Sequence, residues 1–440
     1  MTKVVTRFPP SPTGLFHMGG VRTALFNYIF AKQNKGEFLF RLEDTDKERS
    51  KKEFEEELYS GLVWLGLPPD NTDVPRQSER TEIYKEHLHR LIAEGKAYEA
   101  EDSTTGKGKV VRFKNPNGAI TFTDLIRGEI SVDTTDLEDF IIARNTDEPV
   151  YHMTVVVDDM LSGVTHVIRG EDHTSNTPRQ ILILEALGGT RPIYAHLPLV
   201  LADDKSKLSK RKHGEVVSLA YYRKKGYLPE AIINFVALLG WNPGGDREML
   251  SLDDLIQEFS FEKVQKGGAV FNVQKLNWIN KEYIKKMGAE KQKRGLLEFL
   301  PKDIDEKMLD TVLPLIIDRI HTWGDVTELW ESGEFSYLLE EPVVDPGKLV
   351  WKEETREAAR EHLTKVKEYI EKVSEAEFNT ESIKASIWPY AEEKGRGSVL
   401  WPFRMALTGK DKSPDPFTVA GMLGKERTLK RLRNAISLLA

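Results

Sequence analysis

Cysteine is absent from all 440 residues. Disulfides, thiolate-bound zinc and a cysteine nucleophile are therefore excluded. Long apolar runs are missing as well. The longest, Ala231 to Trp241, is interrupted by Asn234 and reaches about half of the ~20 residues a membrane span needs. The N-terminal stretch Met1-Thr-Lys-Val-Val5 has no long apolar region and does not read as a signal peptide. A cytoplasmic chain without membrane contact is expected. Positive charge is not in excess either. The formal net charge is −7, which argues weakly against a nucleic-acid partner. In a large enzyme local patches outweigh that total. The sequence shows no internal repeat and no low-complexity tract.

What is present reads as globular. At roughly 100–200 residues per domain, the length suggests two to four domains. Val4 to Phe8 reads as a strand, and Pro9 to Gly14 as a loop. Val21 to Lys32 reads as a helix, with Ala24, Leu25, Tyr28 and Ile29 spaced by three and four. A strand at Phe38 to Leu42 and a helix at Lys52 to Leu65 follow. This is the rhythm of a doubly wound parallel sheet. From about residue 98 it gives way to short alternating strands at Val110 to Phe113, Ile120 to Phe122, Glu129 to Val132 and Phe140 to Ala143. They read as an antiparallel insertion. The first rhythm resumes with Val164 to Ile168, Thr177 to Ala186 and His196 to Leu201. Beyond about residue 216 the pattern is helical, with helices expected at Leu228 to Leu239, Val312 to Leu329, Arg356 to Val373 and Lys425 to Leu439. Glu340 to Gly347 reads as a linker.

Two segments carry chemistry. Arg7-Phe-Pro-Pro-Ser11-Pro-Thr-Gly14-Leu-Phe-His17-Met-Gly19-Gly20 joins a strand to a helix. Glycines there let backbone approach a ligand, and the helix N-terminus presents free N–H groups to an anion. His17 can add a hydrogen bond to a phosphate oxygen. Taken alone, such a stretch more often means an ordinary loop with one histidine. Lys205 to Gly214 places five Lys or Arg within eight residues. That loop can neutralise a triphosphate and a departing pyrophosphate. A charge run by itself is more often only solvated.

Together the two segments resemble the two signature motifs of class I aminoacyl-tRNA synthetases. Longer strings narrow the likeness: Pro10-Ser-Pro-Thr-Gly14, Arg41-Leu-Glu-Asp-Thr-Asp46, Val157-Asp-Asp159, Val167-Ile-Arg-Gly-Glu-Asp-His173, Asn176-Thr-Pro-Arg-Gln180 and Lys207-Leu-Ser-Lys-Arg211. They look like those of bacterial glutamyl-tRNA synthetases, and the likeness continues to Leu423-Gly-Lys425. It implies a Rossmann-like α/β catalytic domain in two halves, 1–97 and 151–215, around a shortened α+β acceptor-binding insertion at 98–150. All-α stem-contact (216–310) and anticodon-binding (311–440) domains would follow.

The resemblance also implies roles. L-Glutamate, ATP with Mg²⁺ and tRNA(Glu) would be the substrates, and no zinc is expected. Arg7 and Arg169 match the arginines that take the glutamate carboxylates, and Glu43 matches the acid that takes the ammonium. Ser11, Tyr151 and Val155 match their neighbours. His17, Gly19, Gly20, Asp172, Val200, Lys207, Ser209, Lys210 and Arg211 match the ATP side. His17, Lys207 and Lys210 are expected to be catalytic, Lys210 stabilising charge in the transition state. The basic groups Arg223-Lys224-Lys225 and Lys430-Arg431-Arg433 could meet RNA phosphates or be solvated helix faces. A monomer is expected.

Two departures stand out. Between Ala97-Tyr98 and Val111-Arg112-Phe113 only residues 99–110 remain, where the family usually carries several tens. Some members also exclude the glutamine tRNA with an anticodon-domain arginine, and rough counting puts that position near Ser336. This leaves tRNA(Gln) open as a second substrate. Rival readings are a glutaminyl-tRNA synthetase, disfavoured by the Glu-Asp-Thr-Asp string and the helical C-terminal half, and a non-catalytic paralogue, disfavoured by the retention of His17, Lys207 and Lys210.

Overall fold

The computed structural model describes residues 3–101, 108–300 and 306–440, without the side chains of 210, 211, 306–308 and 311. Its contacts divide it into two compact units, Met1–Tyr283 and Ile284–Ala440.

The first unit opens with β1 (Val5–Phe8), α1 (Met18–Gln33) and β2 (Glu37–Phe40). All four residues of β1 are buried. β2 returns parallel to β1, with Val5 facing Glu37 and Phe8 facing Phe40. The return is tight at Gly36, whose N–H donates to the Ala31 carbonyl at 2.8 Å. A Cβ there would lie 2.1 Å from the Val4 carbonyl oxygen. α2 (Lys52–Trp64) and α3 (Thr81–Ala93) lead to five short strands: β3 (Ala97–Glu101), β4 (Lys109–Phe113), β5 (Ala119–Asp124), β6 (Gly128–Asp133) and β7 (Phe140–Ala143). Then come α4 (Tyr151–Leu161), β8 (His166–Gly170), α5 (Thr177–Ala186), β9 (Ile193–Leu197) and β10 (Val200–Leu201).

β3, β4 and β7 form their own antiparallel sheet. The hairpin β5–β6 does not stay with them, as an insertion reading alone would suggest. Asp124 of β5 pairs parallel with Tyr194 of β9, so the hairpin extends the β8–β9 sheet. On its other side β8 adjoins β1, where the Thr165 N–H donates to the Val5 carbonyl at 3.0 Å. The strand expected from His196 to Leu201 is interrupted. Pro198 has no N–H for a ladder, and the Leu199 N–H donates to the Glu171 carboxylate at 2.8 Å.

The unit closes with α6 (Lys210–His213), α7 (Leu219–Lys224), α8 (Pro229–Ala237), α9 (Leu252–Glu258), β11 (Ala269–Val270) and α10 (Val273–Lys286), the last running past Tyr283. α1 packs on β1, β2 and β8, with α8 and α9 against it. α4 and α5 pack on each other and supply Val155, Val157, Ile181 and Ile183 to the main core.

The second unit is helical: α11 (Ala289–Leu297), α12 (Glu306–Ile317), α13 (Asp325–Glu331), α14 (Ser336–Leu339), α15 (Arg356–Lys372), α16 (Thr380–Lys394), α17 (Arg396–Thr408) and α18 (Pro416–Leu438). The single helix expected from Val312 to Leu329 is two. Asp325 takes the N–H groups of His321 and Thr322 at 2.7 and 2.9 Å, which fixes a turn between α12 and α13. α18 starts earlier than the expected Lys425 and kinks at Gly424, whose φ is 76°. No helix among the described residues is long and apolar enough to cross a membrane.

Gly36→Ala should destabilise the protein by about 1–3 kcal/mol, the cost of forcing volume into a packed site. Chemical denaturation measures it, and an unchanged midpoint would mean that the β1–β2 return yields freely.

Candidate active site

Val5-Thr-Arg-Phe8 crosses the sheet fully buried, so Arg7 enters the interior from the carboxyl end of β1. Its Nε donates to both oxygens of Asp159 on α4, at 3.2 and 3.1 Å. Arg41, just past β2, donates to Asp159 at 2.8 Å and to Glu43 at 3.1 Å. The neighbouring Asp158 takes Gln77 at 2.9 Å, Arg80 at 2.8 Å and the Tyr84 hydroxyl at 2.8 Å. Burial would raise the Asp159 carboxyl, but Arg7 and Arg41 outweigh it and hold it below the usual range. Burial would likewise lower Arg41, which its three acidic neighbours hold above its ordinary value. Glu43 is pushed up by burial, with Arg41 opposing. Three arginines thus face three carboxylates.

Arg169 on β8 differs. It is buried, and it donates to His196 Nε2 at 3.2 Å, to Gln180 Oε1 at 2.7 Å and to Thr177 Oγ1 at 2.8 Å. All three acceptors are neutral. Burial lowers its pKa. Beside it, the Tyr151 hydroxyl lies 3.2 Å from His173 Nδ1, and burial brings His173 down to about 4. Both groups are therefore neutral near pH 7.

His17 caps α1: its Nδ1 accepts the Gly19 N–H at 3.0 Å. Burial and then Lys207 lower its pKa. Its ring proton is consequently on Nε2, and the Leu208 backbone makes a hydrogen bond with the ring. Across the cavity, Lys207 Nζ lies 2.8 Å from Asp172. The Leu208 N–H donates to the Val200 carbonyl at 2.9 Å, clipping the lysine loop to β10. Gly170 makes room for this arrangement, since a Cβ there would meet Asp172 Oδ1 at 2.5 Å.

These groups border one cavity of about 460 Å³. Arg7, Ser11, Glu43, Tyr151, Val155 and Arg169 line it, as do His17, Gly19, Gly20, Asp172, Val200 and Lys207. Residues some 200 apart in sequence are thereby brought to one cavity. Ser209 does not line the cavity; its N–H donates to His213 Nδ1 at 3.1 Å. The side chains of Lys210 and Arg211 lie outside the described residues. Arg41, Asp158, Asp159 and Gln180 have no role expected from sequence, although each stands inside a motif string. Asp124 and His196 carried no signal at all.

The second unit holds another cavity, of about 540 Å³, bordered by Trp351, Trp388, Trp401, Lys384, Arg396 and Arg404. The Arg396 guanidinium lies 4.7 Å from the Trp388 ring centre, and the Trp351 and Trp401 rings are 5.2 Å apart. Arg431, expected as a possible phosphate contact, is instead buried. It donates to the carbonyls of Leu407 at 2.6 Å and Glu340 at 2.8 Å, closing helix ends.

A family model described as "tRNA synthetases class I (E and Q), catalytic domain" matches residues 3–105 and 100–278, and an "Anticodon binding domain" model matches 273–436. The chain belongs to the class I glutamyl- and glutaminyl-tRNA synthetase family. The glutamate–tRNA ligase of Oleidesulfovibrio alaskensis is 39% identical over 475 aligned positions, covering 100% of both chains. That of Carboxydothermus hydrogenoformans is 37% identical, covering 98% of this chain and 99% of its own. The crystal structure of a glutamate tRNA ligase from Elizabethkingia meningosepticum in complex with its amino acid superposes with a TM-score of 0.86, at 34% identity and 100% coverage of each. The catalytic-domain match of this synthetase comes in two pieces that meet at residues 100–105. This lies inside the segment singled out as short, of which 102–107 fall outside the described residues.

Asp159→Ala leaves two buried guanidiniums without their shared partner. It should cost about 3–5 kcal/mol of stability, as breaking buried pairs does. A urea titration of the variant, with less than ~1 kcal/mol lost, would show that the cluster is solvated.

Proposed function

We propose that the chain is a glutamate–tRNA ligase. ATP, entering as its Mg²⁺ complex, is attacked at the α-phosphorus by a carboxylate oxygen of L-glutamate. Pyrophosphate leaves, and the 3′-terminal ribose of tRNA(Glu) then takes the acyl group and releases AMP. No covalent enzyme nucleophile is needed; the protein positions reactants and stabilises charge. Arg7 and Arg169 would take the two carboxylates, and Glu43 the ammonium, among Ser11, Tyr151 and Val155. His17 Nε2–H and the α1 N-terminus at Gly19 and Gly20 would face phosphate. Asp172 and Val200 would border the nucleotide. Lys207, Ser209, Lys210 and Arg211 would meet the polyphosphate, with Lys210 stabilising the transition state.

The observation that carries the amino-acid assignment is the charge around Arg169. Arg7, Arg41 and Arg80 are matched by Asp158, Asp159 and Glu43. Arg169 bonds only to neutral acceptors, so its guanidinium has no direct carboxylate partner; the buried Asp124 carboxylate reaches it only through the neutral His196 ring. A glutamate side-chain carboxylate would supply that direct partner. The neutral amide of glutamine would not.

In the second unit, three tryptophans with Lys384, Arg396 and Arg404 fit stacked bases and their phosphates. We assign them to the anticodon. Ser336 offers no guanidinium where some relatives exclude the glutamine tRNA, so tRNA(Gln) is proposed as a second acceptor. The chain would act in the cytoplasm as a monomer.

Glutamate-dependent exchange of pyrophosphate into ATP should occur, and only with tRNA added. Exchange with glutamine in place of glutamate would overturn the assignment. Charging of purified tRNA(Glu) and tRNA(Gln) side by side tests the second acceptor. Trp401→Ala should raise the KM for tRNA by about 5- to 150-fold, the worth of one base stack, while the KM for ATP stays put. Steady-state aminoacylation reads both constants, and an unchanged tRNA KM would remove this cavity from the RNA path.

A further inference from the structure

Arg169 has an unusual support. Its Nε points at His196 Nε2, 3.2 Å away, and the Thr177 hydroxyl lies 3.1 Å from the same nitrogen. A guanidinium only donates. His196 Nε2 must therefore carry a lone pair, which puts the ring proton on Nδ1. There it meets Asp124 Oδ2 at 2.7 Å, and the same oxygen takes the His196 backbone N–H at 3.0 Å. The other oxygen, Oδ1, takes the N–H groups of Ile126 and Arg127 at 2.9 and 2.8 Å. Asp124 and His196 are both fully buried. The aspartate stands at the tip of β5, on the hairpin that joins the sheet through the Asp124–Tyr194 pairing.

We propose that Asp124 and His196 are positioning residues for substrate. Asp124 fixes the Nδ1–H tautomer of His196, and that tautomer holds the Arg169 guanidinium where it receives a glutamate carboxylate. This rests on the assignment of glutamate as the amino acid. Neither residue touches the ligand; each acts through Arg169. A protonated His196 would turn an N–H toward the Arg169 N–H and push it away. The charged and titratable groups facing the ring are Asp124, Arg127, Arg169, Tyr194 and His173. Burial is the largest effect on His196 and lowers its pKa, with the Asp124 bond opposing. The working neutral form thus prevails at neutral pH, and it is lost on acidification below the ordinary histidine range.

The test is steady-state charging of tRNA by the full chain, with glutamate and ATP varied separately across pH. For the wild-type chain, the KM for glutamate should climb as pH falls through the His196 transition, with no matching climb in the KM for ATP. Asp124→Asn turns an amide donor toward either the imidazole N–H or the two turn N–H groups. It should raise the glutamate KM about tenfold, on the scale of one charge-assisted hydrogen bond, and change kcat less. His196→Gln can give an N–H to Asp124 and a carbonyl to Arg169 with no proton to gain. It should keep a near-native glutamate KM and lose the acid limb, whereas His196→Phe should lose affinity. An unchanged glutamate KM in Asp124→Asn, or an acid limb that survives in His196→Gln, would overturn the relay while leaving glutamate as substrate. If Asp124→Asn does not fold, the His196 pair decides: retention in Gln alone supports the relay, and equal loss in both overturns it. A wild-type chain that does not charge with glutamate overturns the underlying assignment and the relay with it.

Discussion

Asp158 and Asp159 are adjacent on α4, and between them they bind β1, the segment after β2 and the start of α3. Asp159 accepts from Arg7 and Arg41, and Asp158 from Gln77, Arg80 and Tyr84. Taking each ion out of water costs several kcal/mol, and only near-complete pairing returns it. The constraint is therefore collective. If α4 shifts against β1 or α3, more than one buried charge loses its partner. Such a cluster is a poor source of net stability and a strict definition of geometry. It fixes Arg7 and Glu43 at the cavity wall before any ligand is considered, which reduces the reorganisation that binding would otherwise require.

This dependence explains which parts of the molecule could be read from sequence. Strands and helices whose pattern is local were legible: β1, β2, α2, α5 and α15 lie within a few residues of their expected limits. Elements fixed by a distant partner were not. Leu199 leaves the ladder because Glu171, 28 residues away, takes its N–H. The β5–β6 hairpin alternates apolar and polar residues as any exposed hairpin does, and nothing in that alternation predicts its pairing with β9. The α12–α13 break depends on one aspartate side chain turned back on two N–H groups, which a count of apolar spacings does not register.

The site divides in the same way. Residue types in unbroken strings disclosed the cavity, because phosphate and carboxylate chemistry draws on glycine, histidine, lysine and arginine at short spacing. The groups that orient those residues were hidden. Asp124 and His196 are 72 positions apart and sit in strings with no chemical signature. Arg431 failed in the opposite direction: it reads as part of a basic helix face, yet it spends its donors on two carbonyls. Composition reports which charges exist, whereas burial decides which of them a ligand can meet.

That distinction separates the two ends of the cavity. At the end proposed for the amino acid the charges are buried arginines and carboxylates, paired with one another except at Arg169, which meets only neutral groups. A ligand of the wrong charge there leaves an ion that water cannot reach, so discrimination is expensive to defeat. At the end proposed for the nucleotide, Lys207 and Asp172 are both about half exposed, with side-chain accessibilities of 57% and 44%. Exposed ion pairs are worth only about 0–1 kcal/mol, so a polyphosphate can replace Asp172 at Lys207 with little penalty. Lysine suits that exchange, being a point charge on a flexible stem, while arginine suits a fixed planar carboxylate. On the proposed function, the same cavity would hold its amino acid selectively and still let the lysine loop change partners as pyrophosphate forms and leaves.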